Sequence, residues 1–310
     1  MPKINTRNLA DYVLPLDMNG LSGRMLCLPA QAGKKREILF VPGLHTSLER
    51  LFGVIEYLNK YGGVTLPDLP GFGGMRPFYK IGQQPTVDNM ADYLAAFVKL
   101  RYKNRRLTIM GFSWGFLVAT RMLQKYPEIA SKVDLLISLA GLTNGNDFKW
   151  RRHSRRLLWI GSSFFSLRLS AFLVKNVALR GPFIRLVYRL VEHKNPKLRD
   201  ADRQERSRRV DFEIKLWQDN DLRTYMKTSS DALYVNFSDR RVDLKVYHIA
   251  VNNDRYFNNT MVEHNMCRIY KDFESININL PAHAPTIIAT APEAAIFVPP
   301  KIRRLLNKRA

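Results

Sequence analysis

Along the first 140 residues, short apolar runs alternate with stretches in which apolar positions recur every three or four residues. Leu14, Leu16 and Met18 alternate with other residues, and Asn19-Gly20 and Ser22-Gly23 are turn signals. Residues 9–31 therefore predict an opening pair of strands, the second resuming at Met25-Leu26-Cys27-Leu28. Glu37-Ile38-Leu39-Phe40-Val41 is a continuous apolar run suited to a strand buried on both faces. Leu51, Ile55 and Leu58 then fall on one face of a helix over 48–59, stopped by Tyr61-Gly62-Gly63. A short strand at 64–66 leads into the glycine-rich stretch 67–74. Thr86 caps a helix carrying Val87, Met90, Ala91, Leu94 and Val98 at helical spacing. Two further strands, 107–110 and 133–139, flank another helical pattern over 116–123.

Strand–helix alternation of this kind predicts a parallel sheet covered by helices on both sides. It stops after Ala140. Residues 143 to about 241 have helical periodicity and little strand character. Alternation resumes with a strand over 244–251, a helix near 256–270 and a strand over 275–280. Residues 301–308 read as a basic amphipathic helix.

At 310 residues the chain can bury a core as one large domain, or one domain with an insertion. Charge changes the picture more than length does. The net charge is +22, with a pI near 10.1, which favours anionic partners. Two cysteines, Cys27 and Cys267, give no disulfide framework, and no Cys/His spacing suggests a zinc site. Met1-Pro2-Lys3-Ile4-Asn5 lacks the apolar core of a signal peptide, so a cytoplasmic location is expected. The most apolar stretch, 157–179, is interrupted by Arg168 and Lys175, which argues against a membrane span.

The chemistry centres on Gly111-Phe112-Ser113-Trp114-Gly115, which sits between a strand and a helix. A G-x-S-x-G turn in that context is a nucleophile elbow: the turn needs small residues two before and two after the serine, and it lifts the hydroxyl clear of the sheet. A serine hydroxyl is a poor nucleophile at neutral pH and needs a histidine base, itself oriented by an acid. In this architecture the chain order is Ser, acid, His, with both partners on loops after later strands. Asp254 follows the 244–251 strand through Asn252-Asn253; Asp147, after the strand ending at Ala140, is the alternative acid. Asp243 precedes its strand, and Asp272 lies at the far end of a helix. His283, in the loop Leu280-Pro281-Ala282-His283-Ala284-Pro285, is the last histidine and the candidate base. His248 lies within a strand, His264 within a helix, and His153 and His193 in the inserted region. The backbone N–H groups of Trp114 and Leu44 are the candidate oxyanion donors. Phe112 and His45 are candidate pocket residues.

These pieces together resemble an α/β-hydrolase of the lid-bearing group that includes small esterases, lipases and C–C hydrolases. The resemblance rests on Val41-Pro42-Gly43-Leu44, Asp68-Leu69-Pro70-Gly71-Phe72-Gly73, the elbow, Asn253-Asp254 and Ala282-His283, and covers residues 9–142 and 241–300. It implies an α/β fold with a mostly parallel eight-stranded sheet, helices on both faces and an inserted helical lid. It also implies Ser113, Asp254 and His283 as a catalytic triad. Residues 1–142 and 241–310 would form the two parts of the core, and 143–240 the lid. Three positions depart from the family pattern: Pro42 replaces a usual His, Met75 a common Ser, and Phe116 a second Gly. The serine nucleophile argues against the epoxide hydrolase and dehalogenase branches.

The inserted segment is the most basic part of the chain. Between Lys149 and Val210 there are 17 Lys and Arg against 4 Asp and Glu, interleaved with bulky residues such as Trp150, Trp159, Phe164 and Phe172. Two readings stay open: a lid that packs its apolar face over the pocket, or a face that lies in an anionic membrane interface. Nucleic acid is disfavoured because no recognisable binding module is present. The expected activity is serine hydrolysis of an ester or thioester, on a small acyl substrate of lipid-like character, with no metal or organic cofactor. The competing class is a non-catalytic protein of the same fold that binds an anionic surface or partner. The pattern sets no oligomeric state.

Overall fold

The computed structural model describes residues 7–191, 202–280, 283 and 290–308. Expectations for Met1–Asn5, His193 and the loop residues on either side of His283 lie outside these described residues.

The chain opens with the hairpin β1 (Val13–Met18) and β2 (Leu21–Leu28). Asn19 and Gly20 form its two-residue turn, both at positive φ (54° and 77°), as a type I′ turn requires. Ser22-Gly23, expected to be a turn, instead pairs within β2 opposite Asp17 and Leu16. The short Asn19-Gly20 loop fixes the register, so no second break is needed.

There follow β3 (Arg36–Val41), α1 (Leu48–Leu58), β4 (Gly62–Pro67) and α2 (Val87–Tyr102). Then come β5 (Leu107–Phe112), α3 (Trp114–Lys125), α4 (Pro127–Ala130) and β6 (Val133–Leu139). The sheet order is β1-β2-β4-β3-β5-β6 with two more strands, β7 (Val242–Val251) and β8 (Tyr270–Ile278), added beyond β6. β2 runs antiparallel to both its neighbours, β1 and β4, and all the other pairings are parallel. This is the eight-stranded, mostly parallel sheet expected.

Both faces of the sheet are packed. On one lie α2, α3 and α10 (Asn259–Ile269), around Met90, Leu94, Phe116, Leu117, Val262 and Met266. On the other lie α1 and the C-terminal helices α11 (Ala291–Ala294) and α12 (Pro300–Asn307), around Leu51, Ile55, Phe297 and Ile302. Strands β3 and β5 are buried on both faces, which is why they read as continuous apolar runs rather than alternating ones.

Between β6 and β7 the described residues form five α-helices: α5 (Arg152–Phe165), α6 (Arg168–Asn176), α7 (Gly181–Val191), α8 (Arg203–Asp219) and α9 (Leu222–Ala232). Asn220 ties this insertion to the core. Its side-chain oxygen accepts from Gly73 N–H at 2.8 Å, and Asp221 N–H donates to Gly71 O at 2.8 Å.

Candidate active site

The elbow forms because β5 ends where α3 begins, with one residue between them. Ser113 occupies that position at φ 50°, ψ −122°, and its N–H is held by Leu139 O of β6 at 2.9 Å. Positive φ costs a non-glycine residue roughly 1–3 kcal/mol, and the surrounding packing must enforce it. The flanking glycines show how. A Cβ on Gly115 would stand 2.2 Å from Pro42 O, and one on Gly111 would stand 2.6 Å from Phe116 Cα. Both encounters are with backbone, so neither position accepts a side chain. Phe116, the departure from the usual second glycine, is fully buried and stacks beside Tyr270. Its ring and backbone fill the space that Gly111 and Gly141 leave open.

Three groups from three strand ends meet here. His283 Nε2 lies 2.9 Å from Ser113 Oγ, and His283 Nδ1 lies 2.6 Å from Asp254 Oδ2. The ring is boxed by Phe112, Tyr256 and Phe257, with centroids 5.7, 5.2 and 5.0 Å away. Burial pushes the Asp254 carboxyl up, but His283 and the N–H groups of Tyr256 and Phe257 outweigh it and hold it below its ordinary range. Lys149 Nζ donates to Asp254 O at 2.6 Å, tying the acid's backbone to the start of the insertion.

Asp147 is engaged elsewhere. It accepts from Thr143 N–H, Asn144 N–H and Asn265 Nδ2, and so closes the turn that follows β6. Burial raises its pKa despite these donors. His248 sits inside the sheet at 2.9 Å from Ser138 Oγ, where burial drives its pKa down to about 4.

Ser113, Trp114, Leu44, Phe112, His45 and His283 all line one cavity of about 570 Å³. The insertion supplies its other wall, including Trp150, Leu158, Tyr188, Trp217 and Tyr225. Most of the lining is apolar, but it also carries buried polar groups, Arg50 and Glu213, both in contact with His45.

His45 follows the candidate oxyanion residue Leu44 directly and is itself at φ 52°. Gly73 N–H fixes the Asn220 amide, so its NH2 faces His45 Nδ1 at 3.1 Å. An amide NH2 only donates; Nδ1 therefore accepts, and the ring proton lies on Nε2, facing Glu213 at 3.5 Å. Trp217 packs on the ring at 3.9 Å between centroids, and Arg50 donates to His45 O at 2.8 Å. Arg50, Glu213, Trp217 and Asn220 escaped the sequence reading because no motif or periodicity marks them. Arg50 reaches His45 from the first turn of α1, and the descent of α8 onto the loop after β3 brings the other three there.

A family profile for the alpha/beta hydrolase fold matches residues 37–265. The chain belongs to that family. Among solved structures it is similar to a thermophilic esterase from Thermogutta terrifontis, with 14% identity and a TM-score of 0.62, covering 96% of this chain and 99% of that one. It is similar to a carboxylesterase from the ammonia-oxidising thaumarchaeon Nitrososphaera gargenis, with 15% identity, a TM-score of 0.63 and the same coverage. It is also similar to the epoxide hydrolase CorEH, with 14% identity, a TM-score of 0.67 and coverage of 95% and 99%. At such identities the likeness establishes the fold alone. The search of curated proteins found no match.

Proposed function

We propose that this protein is a serine hydrolase that cleaves an ester or thioester through an acyl-enzyme. The observation that carries this reading is the unbroken chain from Ser113 Oγ through His283 to Asp254, at 2.9 and 2.6 Å. Asp254 accepts from His283 Nδ1–H, which leaves Nε2 free to take the serine proton. Ser113 then attacks the acyl carbon, and the N–H groups of Leu44 and Trp114 receive the oxyanion. His283 returns the proton to the leaving group, and a water repeats the sequence to release the acid. The apolar wall formed by Leu142, Phe148, Leu158, Met226 and Leu233 suits an acyl chain. Similarity to esterases supports an ester substrate. The serine at the nucleophile position favours acyl transfer over the epoxide hydrolysis named for CorEH. In this reading the helical insertion is the lid over the pocket and the part of the molecule that meets an anionic membrane surface.

The test is labelling with a fluorophosphonate probe and a chain-length series of p-nitrophenyl esters. Wild type labels and turns over; Ser113→Ala remains folded, does not label, and loses about 10⁶-fold in kcat, the size of loss typical for a triad serine. Wild-type-like turnover in that variant would sink the reading.

A further inference from the structure

In helices α5, α6 and α7, the apolar residues lie on the outside. Leu157, Ile160 and Phe164 follow i, i+3, i+7 spacing on α5 and are 68%, 49% and 56% exposed. On α6, Leu169, Phe172 and Leu173 repeat the pattern; on α7, Phe183, Leu186, Val187 and Leu190 do so. The inward faces are occupied as well: Ile184 and Tyr188 of α7 pack on Val210, Ile214 and Trp217 of α8. The outward faces are therefore a second apolar surface, left over after the insertion has packed on the core. Exposed large apolar side chains recurring on three successive helices are more than the scattered surface residues that need no explanation.

Two features identify the occupant. The first is charge. Arg151, Arg152 and Arg156 on or before α5, Arg168 on α6, and Arg180, Arg185 and Arg189 at α7 are all exposed beside these faces, and the described part of this segment, 149–191, holds no acidic residue. A protein partner with a plain apolar groove gives no reason for such one-sided charge, whereas an anionic leaflet offers acyl chains and headgroups together. The second is geometry. No single helix among the described residues is long and apolar enough to cross a membrane; α5 and α6 together have the length and composition of a span but are bent by 87° at Ser166-Leu167. A pair so sharply bent, with Arg152, Arg156 and Arg168 along it, fits a position along an interface better than a straight crossing.

We infer that the outer faces of α5, α6 and α7 dock this protein on an anionic lipid surface, with the catalytic pocket opening beside the bilayer. Leu158 links the two: it is 42% exposed and also lines the cavity that holds Ser113. Resting on the hydrolase reading above, this makes the substrate an acyl lipid, or an acyl compound dissolved in the leaflet, that enters past α5.

Flotation of the full-length Ser113→Ala protein with phosphatidylcholine vesicles, and with phosphatidylcholine vesicles containing phosphatidylglycerol, tests the docking without turnover. Binding is expected to the anionic vesicles only, and to weaken from 0.1 to 1 M salt as the Debye length contracts. Replacing Arg151, Arg152 and Arg156 together with Gln should lower the partition about a hundred-fold, near five-fold for each charge. Arg155 is left intact because it donates to Gly145 O within the fold. Leu169→Ser, Phe172→Ser and Leu173→Ser combined should abolish binding, with the far-ultraviolet spectrum and melting temperature kept. In the wild-type background, these variants should hydrolyse a water-soluble short-chain ester normally but lose activity on vesicle-borne substrate. Equal binding to both vesicle types, binding to neither, or a concentration-dependent dimer that buries the face without vesicle binding would overturn the inference. Loss of soluble-ester turnover in wild type would instead count against the hydrolase reading and leave the docking result standing.

Discussion

At the residue scale, two buried aspartates follow two neighbouring strands, and their surroundings give them different tasks. Asp254 points one oxygen at His283 and the other at two N–H groups, so the carboxylate is fixed in the position that holds the ring. Asp254→Asn should lower kcat about 10⁴-fold with little change in KM or stability, because the amide favours the wrong tautomer. Asp147 closes the Thr143–Asp147 turn and binds Asn265. Asp147→Asn should leave kcat within a few-fold and cost about 1–3 kcal/mol of stability, from donors left unmatched in a buried site. Steady-state kinetics beside urea melts on both variants would separate the roles, and a reversed pattern would assign the acid to the strand before the insertion. Sequence order favoured Asp254 and kept Asp147 as the alternative. Both follow strands, and only the three-dimensional position of His283 separates them.

Among the elements, β7 shows what burial does to a titratable group. His248 on β7 faces Ser138 on β6 and is fully enclosed, so burial lowers its pKa from 6.5 to about 4. Between those values the unfolded chain takes up a proton that the folded chain refuses. Stability from this group is therefore full above pH 6.5, falls as the pH drops towards 4, and levels off below that. The total is about 3 kcal/mol. Urea titrations from pH 7 to 4 should show the stability gap between wild type and His248→Gln closing by that order as the pH falls. Parallel profiles would mean that another group carries the acid sensitivity.

The same strand pair shows why boundaries were read imperfectly. β8 begins at Tyr270, five residues before its apolar alternation becomes visible. Lys271 and Asp272 obscured its start. They are tolerated because β8 is an edge strand, where they pair with Asp243 and Lys245 of β7 in solvent.

For the molecule as a whole, stability is unevenly distributed. β3, β5 and β6 lie in the middle of the sheet under helices on both sides, while α5 has no buried residue at all. Amides of α5 and α6 should therefore exchange with deuterium through local opening, orders of magnitude faster than those of β5 and β6, which should need global unfolding. Anionic vesicles should slow exchange in α5 and α6 and leave the sheet unchanged. Uniform protection across the chain in the absence of lipid would contradict this picture. The attachments at Lys149, Asn220 and Asp221 mark where the stable core meets the looser insertion.

The sequence by itself determined whatever depends on short-range pattern. Strands buried on both faces had to be continuous apolar runs, and surface helices had to repeat every three or four residues. The elbow had to carry glycines where its backbone meets Pro42 and Phe116. These constraints act over a few residues, so the tight strand-to-helix turn at Ser113 and the parallel sheet were legible in one dimension. The tertiary structure decided what depends on segments meeting across long stretches of chain. It brought Asp254 and His283 to Ser113 and committed Asp147 to a turn. It also set α8 with Glu213 and Asn220 against His45, and it turned one apolar face of α5 to α7 outward. The last of these was the open question of the sequence, because an amphipathic pattern states that a helix has an apolar face but not what that face will touch. Packing shows only where the faces lie: α7 sets its inner side on α8, and the outer apolar side of α5 to α7 stays exposed among arginines.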